Sequence, residues 1–296
     1  MLTNMDQKDA RELKALISLT DEPDEHIYNE ITEKILFFGT DAIPLLEETW
    51  ENTFDPIAQQ RILNIIHIIQ YEKIAKELAH WKKFDTKNLF NGFMLITRSQ
   101  YPDIKEEEIK QKIEEIKQDI WLELNEGLTA LEKIKVINHI LFDVYEFAGN
   151  NANFHSPQNS YLNTLLDTRR GNPLSLGMLY IIIAQQLEIP VYGVNLPEHF
   201  VLAYTNELAE EKLQFLDKDE VLFYINPFSK GAVFSRKEVE LFIKQLDVEP
   251  QDIFFKPCSN ADIIRRLINN LIYAYNKLEH IQKVTDLEAL AKIFDA

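Results

Sequence analysis

Cysteine and glycine are both scarce in this chain of 296 residues, which contains one cysteine and 8 glycines. The single thiol, Cys258, excludes an internal disulfide bond and any metal site built from several cysteines. Glycine normally makes up about 7% of a protein, so a share this low disfavours glycine-rich barrels and chains of tight hairpins. The composition therefore predicts a mainly helical protein.

Long apolar runs are also missing. The longest, around Ile65 and Ile69, is interrupted by His67 and falls well short of the roughly 18 residues that span a membrane. The first residues, MLTNMDQKDARELK, are polar, so we expect no secretory signal. These features together predict a soluble protein of the cytoplasm.

Basic residues are outnumbered, with 31 Lys and Arg against 48 Asp and Glu and a formal net charge of -17. An acidic surface of this kind repels nucleic-acid phosphates and anionic lipid headgroups. We therefore expect neither nucleic acid nor a membrane surface as a partner.

Charged residues are unevenly distributed along the chain. Between Leu141 and Tyr204 only seven of 64 residues are charged, whereas charged residues make up 27% of the whole sequence. Five of the 8 glycines lie between Gly149 and Gly231. Low charge combined with concentrated glycine indicates a buried, irregular region in which backbone segments approach closely.

Outside this region the pattern is helical. Apolar residues at spacings of three and four predict antiparallel helices over 8–83, with a degenerate HEAT-type pair around the segment AIPLLEETW. The other predicted elements are helices over 106–125, 161–168, 174–187, 261–278 and 283–294, strands over 191–196 and 199–204, and a hairpin of 213–216 with 221–225.

Three polar residues stand at the ends of apolar elements in the central region. Ser175 lies in the first turn of a predicted helix, His199 begins a strand and Asn226 ends one. A helix N-terminus favours an oxyanion, a histidine can act as a base, and an amide oxygen can fix the histidine tautomer. The order parallels the Cys-His-Asn arrangement of papain-like enzymes.

Several linked motifs carry a family resemblance. The matching residues are Asn159, Ser160, Leu162 and Asn163 for N-S-x-L-N, Arg169, Gly171 and Pro173 for R-x-G-x-P, Pro197, His199 and Phe200 for P-x-H-F, and Pro227 and Phe228 for x-P-F. With the segments ILFDVYEFAGN and RRLINNLIYAY, they resemble the transglutaminase-like domain of the SirB family and its C-terminal tetratricopeptide-like helices. The resemblance covers about 88–290. It implies an α+β, mainly helical fold, in which helical regions flank a transglutaminase-like (papain-like) core with a small antiparallel sheet.

The resemblance also implies where a catalytic group would stand. Active transglutaminase-like enzymes use a cysteine at the head of the helix, then a histidine, then an aspartate. Here Ser175 or Pro173 occupies the first position, Asn226 replaces the aspartate and Glu198 replaces the glycine before His199. The candidate catalytic set is Ser175, His199 and Asn226, and with Pro173 at the first position the set has no nucleophile.

Asn159, Asn163 and Arg169 are candidate binding residues. As alternatives, the two asparagines brace the backbone of their loop, and Arg169 forms an ion pair with Asp167 or Asp143.

Metal and cofactor sites have little support in the sequence. P-loop, GxGxxG and HExxH motifs are absent, and no further ligand stands at metal-binding spacing from His155 or His199. We therefore expect no metal and no cofactor. Cys258, which follows a proline, is expected to be a small hydrophobe.

The sequence predicts three regions: a helical, HEAT-like region over 1–87, a SirB-type transglutaminase-like core over 88–245 and a C-terminal helical pair over 246–296. Because no cysteine stands at the nucleophile position, the favoured function is non-catalytic binding of a peptide or protein partner. One alternative is an amide or ester hydrolase, or an acyltransferase, that uses Ser175, His199 and Asn226. The other is a small-molecule module with a pocket of Arg169 and His199.

Overall fold

Helices form nearly all of the first unit of the chain. The computed structural model describes residues 6–206 and 220–295, and the chain divides into the units Met1–Glu77 and Leu78–Ala296. Helices of the first unit are α1 (Gln7–Ile17), α2 (Glu25–Phe37), α3 (Ile43–Asn52) and the first part of α4 (Pro56–Phe84). Their predicted apolar stripes are buried together, as shown by fully buried side chains from all four helices: Leu13, Ile35, Leu46, Ile62 and Ile65.

The second unit combines helices with a small sheet. Its helices are the end of α4, α5 (Leu89–Arg98), α6 (Glu106–Glu123), α7 (Ala130–Asn138), α8 (Leu162–Thr168), α9 (Pro173–Gln186), α10 (Arg236–Gln245), α11 (Asn260–Lys277) and α12 (Ile281–Lys292). A π-helical turn, His139–Val144, continues α7, and α11 packs against α12. None of the described helices combines the length and hydropathy that a membrane crossing requires.

Among the described residues, four antiparallel strands form the main sheet. In order across it they are β3 (Val191–Leu196), β4 (His199–Thr205), β5 (Val221–Asn226) and β6 (Ala232–Phe234). A separate pair of two-residue strands, β1 (Ala148–Gly149) and β2 (Arg170–Gly171), is parallel. The predicted strand 213–216 lies outside the described residues, while 221–225 falls within β5.

The sheet brings the start of β4 next to the end of β5. Leu202 of β4 pairs with Ile225 of β5, so the antiparallel register places His199 and Asn226 at the same edge. Leu196 pairs with His199 in the neighbouring hairpin, which leaves Pro197 and Glu198 as a two-residue turn.

Helix α9 forms the centre of the core beneath β3 and β4. All of its residues from Pro173 to Ala184 are buried, as expected for a helix that is apolar on every face. Phe200 of β4 fits between two glycines: a Cβ atom would lie 2.7 Å from its ring at Gly177 and 2.5 Å at Gly193. This close approach accounts for part of the glycine concentration in the sequence.

The structure confirms the predicted fold class, a mainly helical α+β protein with a small antiparallel sheet. The predicted region limits at residues 87 and 245, and the HEAT-like character of the first region, stay predictions.

Candidate functional site

His199 and Asn226 form a hydrogen-bonded pair at the edge of the sheet. The imidazole ring of His199 forms a hydrogen bond with the side-chain amide of Asn226. The Asn226 Oδ1 also accepts hydrogen bonds from the backbone N–H groups of Phe228 at 3.1 Å and Ser229 at 3.2 Å. The turn after β5 therefore holds the amide, and the amide orients the ring.

The surroundings of the His199 ring favour its neutral form. Burial lowers the pKa of His199 from 6.5; the bond to Asn226 partly offsets this effect, and the positive charge of Arg266 adds to the lowering. A neutral imidazole has one N–H donor and one nitrogen that can accept a proton or a hydrogen bond. His199 is thus in the form that a general base requires.

The hydroxyl of Ser175 takes part in the N-terminal cap of α9. Its side chain is fully buried, and its Oγ accepts from the backbone N–H of Asn172 at 3.1 Å and donates to the Asn172 carbonyl at 3.3 Å. In return, the Asn172 Oδ1 accepts from the backbone N–H of Ser175 at 2.9 Å. This reciprocal arrangement is a capping box, which uses the hydroxyl for local structure.

A cavity of about 170 Å³ opens beside His199. Its walls come from the loop before α8, the first turn of α9, the β3–β4 turn and one face of α11. Pro173 lines this cavity together with His199, and Ser175 is not among the lining residues. Of the two residues that the sequence left open for the nucleophile position, only Pro173 therefore shares the cavity with His199.

Arg266 of α11 is a wall residue that the sequence analysis missed. Its Nη1 donates to the Asn195 Oδ1 at 3.1 Å and to the Leu196 carbonyl at 3.0 Å, and its Nη2 donates to the His199 carbonyl at 2.8 Å. Burial lowers the pKa of the guanidinium. One signal was present in the sequence: Arg266 and Asn270 stand at a spacing of four beside an apolar stripe, and both line the cavity.

The predicted binding asparagines, Asn159 and Asn163, do not line the cavity. Asn159 is buried and braces its loop, because its Nδ2 donates to the carbonyls of Asn153 at 2.7 Å and Phe154 at 3.1 Å. Its Oδ1 accepts from the Nδ2 of Asn150 at 2.9 Å. The Oδ1 of Asn163 is buried and has no hydrogen-bond partner among the described residues.

Arg169 lies away from the cavity wall. It is exposed, adopts a left-handed conformation with φ 56° and ends α8. The acidic residues named as its alternative partners contact other groups: Asp167 pairs with Lys112 at 2.5 Å, and Asp143 lies 3.4 Å from His139. The basic group that accompanies His199 in the cavity is Arg266 instead.

His155 lines the same cavity as His199, with its ring edge-on to Tyr273 at 5.7 Å between ring centroids. Within residues 6–206 and 220–295, no three His, Cys, Asp or Glu side chains cluster as metal ligands would. Burial raises the pKa of the Cys258 thiol to about 12, which disfavours the reactive thiolate.

Comparison with known proteins places these features in a family. A sequence model described as the transglutaminase-like superfamily matches residues 107–269, more than half of the chain. The matched stretch includes the first turn of α9, His199, Asn226 and Arg266.

Curated relatives are similar over parts of the chain. A UPF0162 protein of Xylella fastidiosa is 27% identical over 197 residues, which cover 64% of this chain and 66% of the relative. Human F-box only protein 21 is 30% identical over 139 residues, 47% of this chain and 21% of that protein. A UPF0162 protein of Pasteurella multocida is 34% identical over 80 residues, 27% of this chain and 30% of the relative. The aligned region thus spans just under two thirds of the Xylella protein and much less of the other two, and no solved structure matches.

Proposed function

The chain belongs to the transglutaminase-like superfamily, and we propose that it is a non-catalytic member that binds a peptide segment of a protein partner. The observation that carries the proposal is the chemistry at the head of α9. Pro173 lines the cavity with His199, whereas the hydroxyl of Ser175 is hydrogen-bonded to the backbone of Asn172 in the helix cap. Pro173 has no nucleophilic atom, so the histidine base lacks a nucleophile at the head of α9 with which to form a covalent acyl intermediate.

The cavity size supports a peptide group as the ligand. Pockets that enclose drug-sized molecules measure roughly 300–1,000 Å³, and this cavity measures about 170 Å³. That volume suits one side chain or one chain end, with the rest of the ligand outside. A small-molecule module with Arg169 and His199 is less well supported, because Arg169 does not line the cavity.

The finer family placement is part of the proposal. We assign the chain to the SirB group, with α11 and α12 as its tetratricopeptide-like pair, which the motif order and the packing of these helices support. A location in the cytoplasm and a partner other than nucleic acid are also proposed, and the net charge of -17 supports the second point.

Catalytic status is tested first on the wild-type protein, because Ser156 and Ser160 also line the cavity. We expect p-nitrophenyl acetate and a panel of acyl amides to be hydrolysed no faster than in buffer. Any turnover above the buffer rate would contradict the proposal. Its loss in Ser175→Ala would favour the hydrolase alternative, and its loss in Ser156→Ala or Ser160→Ala would identify that serine as the nucleophile.

The second test restores the missing thiol with Pro173→Cys. We expect the introduced thiol to react with iodoacetamide at pH 7 faster than an ordinary cysteine of pKa about 8.5, because a helix N-terminus stabilises a thiolate. Cys258, with a pKa of about 12, is the internal unreactive reference. An introduced thiol that reacts no faster than a free cysteine would contradict the placement of a former nucleophile site here.

Partner binding is tested by photo-crosslinking from the cavity rim. A photoreactive amino acid replaces Phe154, which is 42% exposed, and the matched control replaces Leu122 on α6, which is 73% exposed and outside the cavity. We expect a protein that crosslinks from the first position and not from the second. The same crosslinked proteins from both positions, or none, would count against the proposal.

A further inference from the structure

Arg266 brings a positive charge to the cavity wall without using all of its hydrogen-bond donors. Three of its N–H groups donate to oxygens of Asn195, Leu196 and His199. Within the described part of the chain, the Nε–H and the second Nη2–H have no hydrogen-bond partner. Nε and Nη2 form one edge of the planar guanidinium, and such an edge binds a carboxylate through two parallel hydrogen bonds.

The charge of Arg266 also lacks a carboxylate partner among the described residues. Its neighbour Arg265 pairs with Asp295 at 2.5 Å, whereas the three acceptors of Arg266 are neutral carbonyl oxygens. The Phe200 ring, whose centroid lies 5.8 Å from the Arg266 Cζ, is also neutral. A half-buried cation that contacts only neutral groups gains more from an anion than an exposed cation does. The same wall carries His155 and the amide of Asn270, which can donate further hydrogen bonds.

We infer that the cavity binds one carboxylate group of the partner peptide and that Arg266 is its anchor. The inference rests on the proposed function and names the ligand chemistry of that site. The carboxylate belongs to a peptide C-terminus or to an Asp or Glu side chain, and either fits a cavity that accepts one residue. Glu198 at the rim is exposed and acidic, so it opposes ligands that carry several negative charges.

The first experiment measures binding of four probes by calorimetry at one ionic strength. They are N-acetyl-glycylglycine, its C-terminal amide, N-acetyl-glutamate α-amide and inorganic phosphate. We expect at least one of the two carboxylate probes to bind about tenfold more tightly than the neutral amide and phosphate, and the better one identifies the source of the carboxylate. Equal affinity for acid and amide, or binding of phosphate alone, would overturn the inference.

The second experiment compares Arg266→Lys with the matched control Arg265→Lys. Lysine keeps the charge but loses the bidentate edge, so Arg266→Lys should weaken carboxylate binding by about tenfold, and Arg265→Lys should leave it unchanged. A purely structural Arg266 would only hold the β3–β4 turn in place through its hydrogen bonds. In that case Arg266→Lys would lower the melting temperature but bind the carboxylate probe as tightly as the wild type does, and the inference would be wrong.

A third variant covers the case in which Arg266→Lys does not fold. Glu198→Gln removes the negative charge at the rim and should tighten carboxylate binding a few-fold; unchanged or weaker binding counts against the inference. Crosslinking from the Phe154 position separates this inference from the proposed function. If a partner is crosslinked but the protein binds the carboxylate probes no more tightly than the amide, only the role of Arg266 as an anchor is rejected. If no partner is crosslinked, the proposed function is rejected.

Discussion

Ser175 and Pro173 stand two positions apart in the first turn of α9, and this spacing decides which of them faces the cavity. An α-helix turns about 100° per residue, so residues two positions apart differ by about 200° and point to nearly opposite sides. Because Pro173 lines the cavity, Ser175 points away from it, and its hydroxyl meets the backbone of Asn172. The same residue is thus suited to capping and unsuited to attack on a bound group.

Ser175→Ala should destabilise the protein without changing ligand binding. The variant removes the hydroxyl from a buried capping box and leaves the backbone N–H of Asn172 without its acceptor, which should lower the free energy of unfolding by about 1–2 kcal/mol. Urea denaturation measures the change. Ser99→Ala, whose hydroxyl donates only to the Ile96 carbonyl at 2.7 Å, is the control and should cost about 0.5 kcal/mol or less. An unchanged free energy of unfolding in Ser175→Ala would contradict the capping role.

His199 should make stability depend on pH. Burial lowers its pKa in the folded state below the unfolded value of about 6.5. Between those two values the unfolded chain binds more protons, so the stability that His199 contributes is complete above about pH 6.5 and is lost as the pH falls toward the folded pKa.

Urea denaturation at pH 7.5 and pH 5.5 checks this expectation. His199→Gln should reduce the loss of stability between the two pH values, whereas the control His139→Gln, on an exposed ring, should leave that loss as in the wild type. An equal loss in His199→Gln and the wild type would mean that the ring is not held neutral by the fold.

At the scale of elements, the packing of α9 against β4 depends on Gly177. A Cβ atom there would lie 2.7 Å from the Phe200 ring, well inside the normal contact distance of about 3.5 Å. The ring has little room to shift, because it also packs against Gly193 of β3, where an added Cβ atom would lie 2.5 Å from it. At position 177 the steric clash with the Phe200 ring should therefore cost more stability than the higher helix propensity of alanine contributes.

Gly177→Ala should lower the free energy of unfolding by about 1–3 kcal/mol through overpacking. Gly127→Ala is the control. A Cβ there would meet only the Asn125 Oδ1, at 3.3 Å, so the change should alter stability by about 0.5 kcal/mol or less. Phe200→Leu removes the ring that a Cβ atom at position 177 would meet. The double variant should therefore lose less free energy of unfolding than the sum of the losses in the two single variants. Strict additivity would show that the ring is not the obstacle.

Most of the second unit's longer elements were predictable from local pattern. The helix predicted over 106–125 is α6 (Glu106–Glu123), and the strand predicted over 191–196 is β3 (Val191–Leu196). The pair β1 and β2 was missed, because each has two residues and pairs with a segment far along the chain. Strands that short carry no alternating pattern.

At the scale of the whole molecule, the family match lies entirely within the second unit, Leu78–Ala296. The end of α4 belongs to that unit through Trp81, which is 2% exposed and donates from its Nε1 to the Asn88 carbonyl at 2.9 Å. A chain that begins at Leu78 should therefore retain the cavity and its ligand.

Thermal unfolding followed by circular dichroism tests this division. A chain that begins at Leu78 should melt cooperatively, whereas a chain that begins at Leu89 should be less stable by about 3–5 kcal/mol because it lacks Trp81. Two truncated chains that melt at the same temperature, or a Leu78 chain that is unfolded, would show that the unit boundary is misplaced.

The sequence alone determined the transglutaminase-like superfamily, the longer helices and strands, and the candidate pair of His199 and Asn226, because linked motifs and hydrophobic periodicity are local patterns. Only the tertiary structure decided that Pro173 faces the cavity and Ser175 does not. It also brought Arg266 to the carbonyl of a residue 67 positions earlier in the chain. The physical reason is that a cavity is formed by the packing of distant segments, and no local spacing records which side chains that packing brings together.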